Sequence, residues 1–325
     1  MFVYGTLGFE HVLPTSVPVA VAPQSPATSG DDLNIGKAAV TLFSDPLTYH
    51  SKAAAMRALN REAVYAVVTV PANLASDSGG TVVHVYVSGS VVPYQEPAQV
   101  LASVANRGLS ALIDRPIDVS YTIVGTERSL SAYLLPTFLM VFVLLFAFAY
   151  LPYNFATEEA AIDRLRLESS LYRVVAAKLA VFSVMLVAPI FVFAATSTYM
   201  GNTVDFLAPG VFAVYVATFL VAGTLAAAVT IALRFSAWGR LANLAVLLFV
   251  MGFSGLAYPR GFFSPARRDF VTSVPTYHAM VAARGFSLRG QSISYYADTF
   301  GVLLATFAVC AVLLVASVRY YERGA

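Results

Sequence analysis

The chain has 325 residues, of which 58% are hydrophobic and only 12% are charged, and its formal net charge at pH 7 is +2. Soluble domains carry about 25% charged residues, so this composition excludes a purely water-soluble protein, and the high hydrophobicity excludes intrinsic disorder. The small net charge gives no reason to expect nucleic-acid binding, and a single cysteine, Cys310, excludes an internal disulfide framework. The sequence therefore predicts an integral membrane protein that is mainly α-helical.

The first 132 residues differ from the rest, because they contain no uncharged run that could cross a membrane as a helix. Branched and alternating apolar runs predict strands at residues 17–21, 63–70, 81–87 and 118–124. Helical patterns lie between them at residues 47–60 and 96–113. We expect a small α/β domain over residues 1–132.

The start of the chain lacks a recognisable export signal. Residues 1–13 are apolar but short, carry Glu10 and His11, and have neither the basic region nor the cleavage site of a signal peptide. We expect the chain to begin inside, or just past, a first transmembrane helix encoded upstream, which would make six helices in all. The alternative is that the first visible span alone carries a short N-terminal domain across the membrane.

Five stretches have no charged side chain and reach the ~20 residues that a helix needs to cross a bilayer core of ~30 Å. They are residues 134–153, 179–198, 211–233, 241–258 and 299–318. The connecting segments on one side, 154–178, 234–240 and 319–325, hold eight Lys and Arg, against five in segments 199–210 and 259–298. The positive-inside rule therefore places the first set in the cytoplasm and makes residues 1–132 an extracytoplasmic domain.

Motifs for catalysis and for cofactors are missing or incomplete. Gly30 to Lys37 resembles a phosphate-binding loop, but five residues separate Gly30 from Gly36, and Ala38 stands where Ser or Thr must bind Mg²⁺. We interpret this segment as a polar exterior loop, so the chain is not expected to hydrolyse ATP, to bind a cofactor or to be an enzyme. The predicted spans contain no ionisable residue, which disfavours an ion-coupled carrier.

Two connecting segments are unusual. Residues 154–178 contain four acids and four bases among good helix formers, which suggests a short helix at the membrane surface, although composition alone favours the alternative, a solvated connector. Residues 259–298 are apolar, broken by proline and basic at once. This mixture is typical of helices that dip into the outer leaflet, where Arg260, Arg267 and Arg268 could reach lipid phosphates. The alternative for this segment is an ordinary amphipathic exterior loop.

Taken in order, these features resemble the permease subunits of type-2 ABC exporters, the ABC-2 type transporter permease family, in the branch with a large exterior domain after the first helix. The resemblance is carried by residues 17–21 and 65–71, Thr157-Glu158-Glu159, Lys178, Ser254-Gly255, Pro259, Pro275-Thr276-Tyr277 and Arg284-Gly285. Ala177 stands where the family has a glycine before the lysine.

The resemblance implies a plasma-membrane permease that pairs with a second permease chain, identical or not, and with two copies of a separate ATPase subunit. It implies that residues 154–178 carry the motion of the ATPase to the helices, with Glu158, Glu159, Arg164, Arg166 and Lys178 as candidate coupling residues. The expected cargo is amphiphilic or lipid-like. The alternative is a membrane protein that does not transport, namely a scaffold or receptor whose exterior domain binds a partner. Such a protein would not purify with an ATPase.

Overall fold

The computed structural model describes residues 16–41, 44–72, 74, 82–95, 99, 102–103, 106–107, 118–256 and 258–323. The N-terminal segment 1–13 and most of the predicted helix at 96–113 lie outside these ranges. The chain forms two compact units. The first unit comprises Met1–Tyr133 with Tyr258–Phe270, and the second comprises Leu134–Ala257 with Val271–Ala325.

The first unit is an α/β sheet domain. Its elements in chain order are β1 (Val17–Pro23), α1 (Gly30–Thr41), β2 (Ser44–Thr48), α2 (Lys52–Asn60), β3 (Ala66–Val70), β4 (Val82–Ser88) and β5 (Asp118–Val124). Within the described residues, the strands form one sheet in the order β2-β1-β3-β4-β5. Strand β1 is parallel to β2 and β3, β4 is antiparallel to β3, and β5 is parallel to β4.

Both faces of the sheet centre are buried. Val19 and Val21 of β1 belong to the core on one face, whereas Ala20 and Ala22 pack with Leu59 of α2 on the other. Strands that are covered on both faces read as continuous apolar runs. This burial explains why β1 and β3 are visible in the sequence as uninterrupted branched or apolar residues.

The interpretation of residues 30–37 as a loop is wrong, because they lie in helix α1. A capping box starts this helix: the Ser29 N–H donates to Asp32 Oδ2 at 2.9 Å, and the Asp32 N–H donates to Ser29 Oγ at 3.1 Å. The predicted helix at 47–60 is also partly wrong. Its first two residues belong to β2, and α2 begins at Lys52, where Ser51 Oγ accepts from the Ala54 N–H.

The remainder of the chain is helical. It contains α3 (Leu130–Leu145), a π-helical turn (Phe146–Tyr150), α4 (Leu151–Thr157), α5 (Glu159–Glu168), α6 (Leu171–Met185), α7 (Val187–Tyr199), α8 (Pro209–Ala232), α9 (Ala237–Phe253), α10 (Pro265–Ser273), α11 (Pro275–Arg289) and α12 (Ala297–Arg323). Short 3₁₀ turns lie at Arg260–Phe262 and Ile293–Tyr296.

Four helical stretches among the described residues are long and apolar enough to cross a membrane. They are Leu130–Thr157, Leu171–Tyr199, Pro209–Ala232 and Ile293–Arg323, and they coincide with four of the five predicted spans. The predicted span at 241–258 falls on α9, which has 17 residues and is shorter than this limit. The count of five spans therefore stays a prediction.

Helices α8 and α11 lie inside the second unit. Helix α8 packs against α6, α9, α11 and α12. In α11, 12 of the 15 residues are buried, which is typical of a helix enclosed by its neighbours. One of the buried residues is Arg284, whose guanidinium donates to the Leu256 carbonyl and lies 3.5 Å from Thr137 Oγ1. The predicted exterior segment 259–298 thus contains a buried helix, while its depth relative to the membrane stays a prediction.

Candidate coupling site

Helix α5 lies between the first two membrane-length helices. The first of these ends at Thr157, α5 runs from Glu159 to Glu168, and α6 begins at Leu171. Ser170 is extended and separates α5 from α6. The sequence of residues 154–178 suggested a short helix at the membrane surface, while composition alone favoured a solvated connector, and the structure has a helix of ten residues there.

Three side chains form a polar cluster next to the N-terminal end of α5. Lys178 Nζ lies 2.6 Å from Glu158 Oε2 and 2.5 Å from Asn154 Oδ1, and Asn154 Nδ2 donates to Glu158 Oε1 at 2.7 Å. Asn154 and Glu158 are one helical turn apart, so their side chains share a face. We call these residues the Asn154–Glu158–Lys178 cluster. It connects the end of the first membrane-length helix to the second one.

The cluster lies beside a buried aromatic side chain. Phe155 is fully buried, with its ring centroid 6.3 Å from that of Phe235, and Lys178 Nζ lies 5.2 Å from the Phe155 centroid. The Lys178 side chain is 14% exposed, whereas that of Glu158 is 46% exposed. The ammonium group is therefore held against protein, and only the carboxylate has substantial access to water.

The hydrogen bond from Lys178 lowers the pKa of Glu158 below its ordinary value. Burial acts in the opposite direction, and the hydrogen bond from Asn154 adds to the lowering. A lowered carboxyl pKa means that the stabilisation is present above the ordinary pKa and is lost as the pH falls through the lowered one. The ion pair is therefore formed at neutral pH.

The structure places four of the five predicted coupling residues in two groups. Glu158 and Lys178 bond to each other, whereas Glu159 and Arg164 are exposed on α5. Arg166 belongs to α5, but its side chain lies outside the described residues. The sequence prediction missed Asn154, although its spacing of four residues from Glu158 is a usable signal.

A π-helical turn precedes the cluster. It runs from Phe146 to Tyr150, and the Leu151 N–H donates to the Phe146 carbonyl. Pro152 follows in the first turn of α4 and has no N–H to continue an ordinary helical pattern. The Phe146 ring centroid lies 5.2 Å from that of Tyr150 and 5.1 Å from that of Phe182. Such turns occur frequently at functional sites.

The three arginines of the predicted exterior segment belong to the first unit. Arg260 Nη2 donates to the Ala63 carbonyl at 2.9 Å. Arg268 is buried; its Nη2 donates to Ser16 Oγ at 3.0 Å, and its Nη1 lies 3.8 Å from Asp45 Oδ2. The Arg267 guanidinium lies 3.9 Å from the Phe263 ring centroid. Contact of these arginines with lipid phosphates stays a prediction, and for Arg268 it competes with these protein partners.

A family model described as "ABC-2 family transporter protein" matches residues 6–316. The match covers most of the chain, which therefore belongs to this family. No curated protein and no solved structure matches the chain. The protein is thus a multi-pass membrane protein and a permease subunit of an ABC transporter. Permeases of this family are transmembrane components that work with a separate ATP-binding subunit.

Proposed function

We propose that this permease exports amphiphilic or lipid-like cargo across the plasma membrane. It pairs with a second permease chain and is driven by two copies of the ATPase, which dock on helix α5 in the cytoplasm. The observation that carries this proposal is the placement of α5. This exposed, charged helix joins two membrane-length helices, and the Asn154–Glu158–Lys178 cluster holds its N-terminal end. Residues 1–132 form the extracytoplasmic domain.

The exposed side chains of α5 suit a protein partner. Glu159 and Arg164 offer opposite charges on the same short helix. Nucleotide can shift the conformation of the transporter only if the ATPase makes different contacts with it in the two states. A charged helix that joins two long helices can transmit such a change of contacts to both of them.

The composition of the spans supports the proposed cargo class. The five predicted stretches contain no Asp, Glu, Lys or Arg. Ion-coupled carriers place titratable residues at membrane depth, because a proton or a cation needs an anionic or titratable partner there. A passage without such groups in these stretches fits molecules with a large apolar part, and the energy then comes from the ATPase.

Reversing the two charges of α5 that are exposed among its described side chains, by Glu159→Lys with Arg164→Glu, should weaken recovery of the ATPase in a pull-down by about ten-fold, which requires only ~1.4 kcal/mol. An exposed ion pair contributes ~0.2–1 kcal/mol, whereas truncating one partner of a buried interface pair costs ~2–5 kcal/mol. Glu158 is left unchanged, because its replacement would also break the internal ion pair with Lys178.

The matched control is Arg240→Glu, an exposed basic residue in another predicted cytoplasmic segment. It should leave recovery of the ATPase unchanged at equal membrane levels. Equal recovery by the α5 variant and the parent, over a series of salt concentrations, would show that docking occurs elsewhere. Failure of the parent itself to retain a Walker-motif ATPase would favour the scaffold or receptor instead.

A further inference from the structure

We propose that the Glu158–Lys178 ion pair is a positioning element: it fixes the direction of α5 relative to α4 and α6, so that force applied to α5 moves both membrane-length helices together. The inference rests on the proposed function, because it takes α5 as the docking helix. It assigns to Glu158 and Lys178 a role inside the permease, and leaves the contact with the ATPase to the exposed residues of α5.

The chain geometry makes this pair a cross-link between two helices. Glu158 is the residue between α4 and α5, and Lys178 lies about two turns into α6. The Glu158–Lys178 bond therefore joins residues 20 positions apart and closes a loop that contains the whole of α5. Helix α5 is attached at both ends to helices that this bond holds together, so it cannot tilt freely while the bond is intact.

The three side chains of the cluster restrain one another. Lys178 donates to both Glu158 and Asn154, and Asn154 donates to the second carboxylate oxygen of Glu158. An isolated surface ion pair can exchange its partners for water at little cost. Here each of the three side chains is bonded to the other two, and a network of this kind fixes geometry better than a single contact.

The surroundings of the cluster connect it to the rest of the second unit. Phe155 lies beside Lys178, its ring is tilted against that of Phe235, and the Phe235 ring centroid is 5.5 Å from that of Tyr321 in α12. A displacement of α4 would therefore press on the end of a third membrane-length helix. The π-helical turn before α4 is the nearest irregular point in the first helix, where such a displacement can be absorbed.

A charge-swap cycle tests the proposal, with the complex of permease and ATPase reconstituted in liposomes. Glu158→Lys and Lys178→Glu should each lower the permease-dependent rate of ATP hydrolysis by about ten-fold, while recovery of the ATPase in a pull-down stays within about three-fold of the parent. The double swap restores the pair with reversed polarity and should recover most of the hydrolysis rate.

A distance measurement provides a readout that does not depend on the ATPase. Spin labels at positions 160 on α5 and 177 on α6, both exposed, would be introduced in a Cys310→Ala background. The distance distribution should be narrow in the parent, broad in each single variant and narrow again in the double swap. Glu159→Lys, the control, should keep it narrow.

Each outcome is decisive. A double swap that hydrolyses ATP as poorly as the worse single variant, with a broad distance distribution, would overturn the positioning role. Unchanged hydrolysis and unchanged distances in both single variants would overturn it as well. If single variants lose recovery of the ATPase and the double swap does not regain it, Glu158 or Lys178 contacts the ATPase directly and the inference is wrong. If the parent retains no ATPase, the proposed function fails and with it the role of the pair in energy coupling, while the distances still decide whether the pair fixes the direction of α5.

Discussion

Truncation of Tyr65 to alanine is expected to destabilise the first unit by about 3–5 kcal/mol, as large aromatic-to-alanine changes in protein cores do. Tyr65 is 2% exposed, and its ring centroid lies 5.4 Å from that of Tyr94 in the same core. Its ring also lies directly against Gly261, where an added Cβ would come within 2.5 Å of Tyr65 Cε2. Removing the ring therefore leaves a cavity and also removes the side chain against which Gly261 packs in the segment 258–270.

Hydrogen exchange of the full-length protein in detergent is the measurement for this variant. Peptides from β1 and β3 should exchange at least about a hundred-fold faster in Tyr65→Ala, since a factor of ten corresponds to ~1.4 kcal/mol. Tyr65→Phe is the matched control, because it keeps the ring and should stay within about 1 kcal/mol of the parent. Equal protection in the alanine variant and the parent would contradict a packing role for Tyr65.

The sequence predicts four of the five described strands from their branched, apolar or alternating residues. Strand β5 has the predicted bounds, 118–124, and β1 and β3 were found from their branched and apolar runs. Strand β2 was missed because it is short and contains Pro46, which is tolerated only because β2 is at an edge of the sheet. Helix α1 was missed because its two glycines resemble a loop, although the capping box of Ser29 and Asp32 is readable in the sequence.

Hydropathy locates the long helices but misplaces some of their ends. Residues 254–258 are apolar or small and extend the predicted span, yet α9 ends at Phe253. Gly255 adopts a φ of 60°, a left-handed conformation that an ordinary helical residue avoids. A hydropathy average does not depend on backbone conformation, so the predicted span continues past the residue at which the helix ends.

Sequence analysis predicted residues of the candidate site but not the ion pair between them. The charge content of residues 154–178 identified Glu158 and Lys178, and the spacing of Asn154 and Glu158 predicts that they share a helical face. The ion pair joins residues 20 positions apart on different helices. It depends on how α6 returns beside α4, which is set by tertiary packing and has no local pattern.

Replacement of Gly285 by alanine is expected to destabilise the second unit by about 1–3 kcal/mol, the usual cost of overpacking a filled core. Gly285 is buried in α11, and an added Cβ would come within 2.2 Å of the Tyr296 hydroxyl and 2.4 Å of its ring carbon Cε2. The ring cannot simply swing away, because its centroid lies 5.2 Å from that of Phe286 and its hydroxyl is hydrogen-bonded to Gln291. The midpoint temperature of thermal unfolding in detergent should fall accordingly.

Two further variants separate overpacking from a general effect of losing glycine. Gly301→Ala in α12 adds a Cβ with no neighbouring atom within 4 Å, and it should stabilise the protein slightly, by about 0.5–1 kcal/mol, because alanine favours the helix. Adding Tyr296→Phe to Gly285→Ala removes the hydroxyl but keeps the ring, where Cε2 and Cζ would still lie within 2.5 Å of the new methyl group. This double variant should therefore remain as unstable as Gly285→Ala. A full recovery would show that the hydroxyl alone, and not the close approach of the ring to α11, requires glycine at this position.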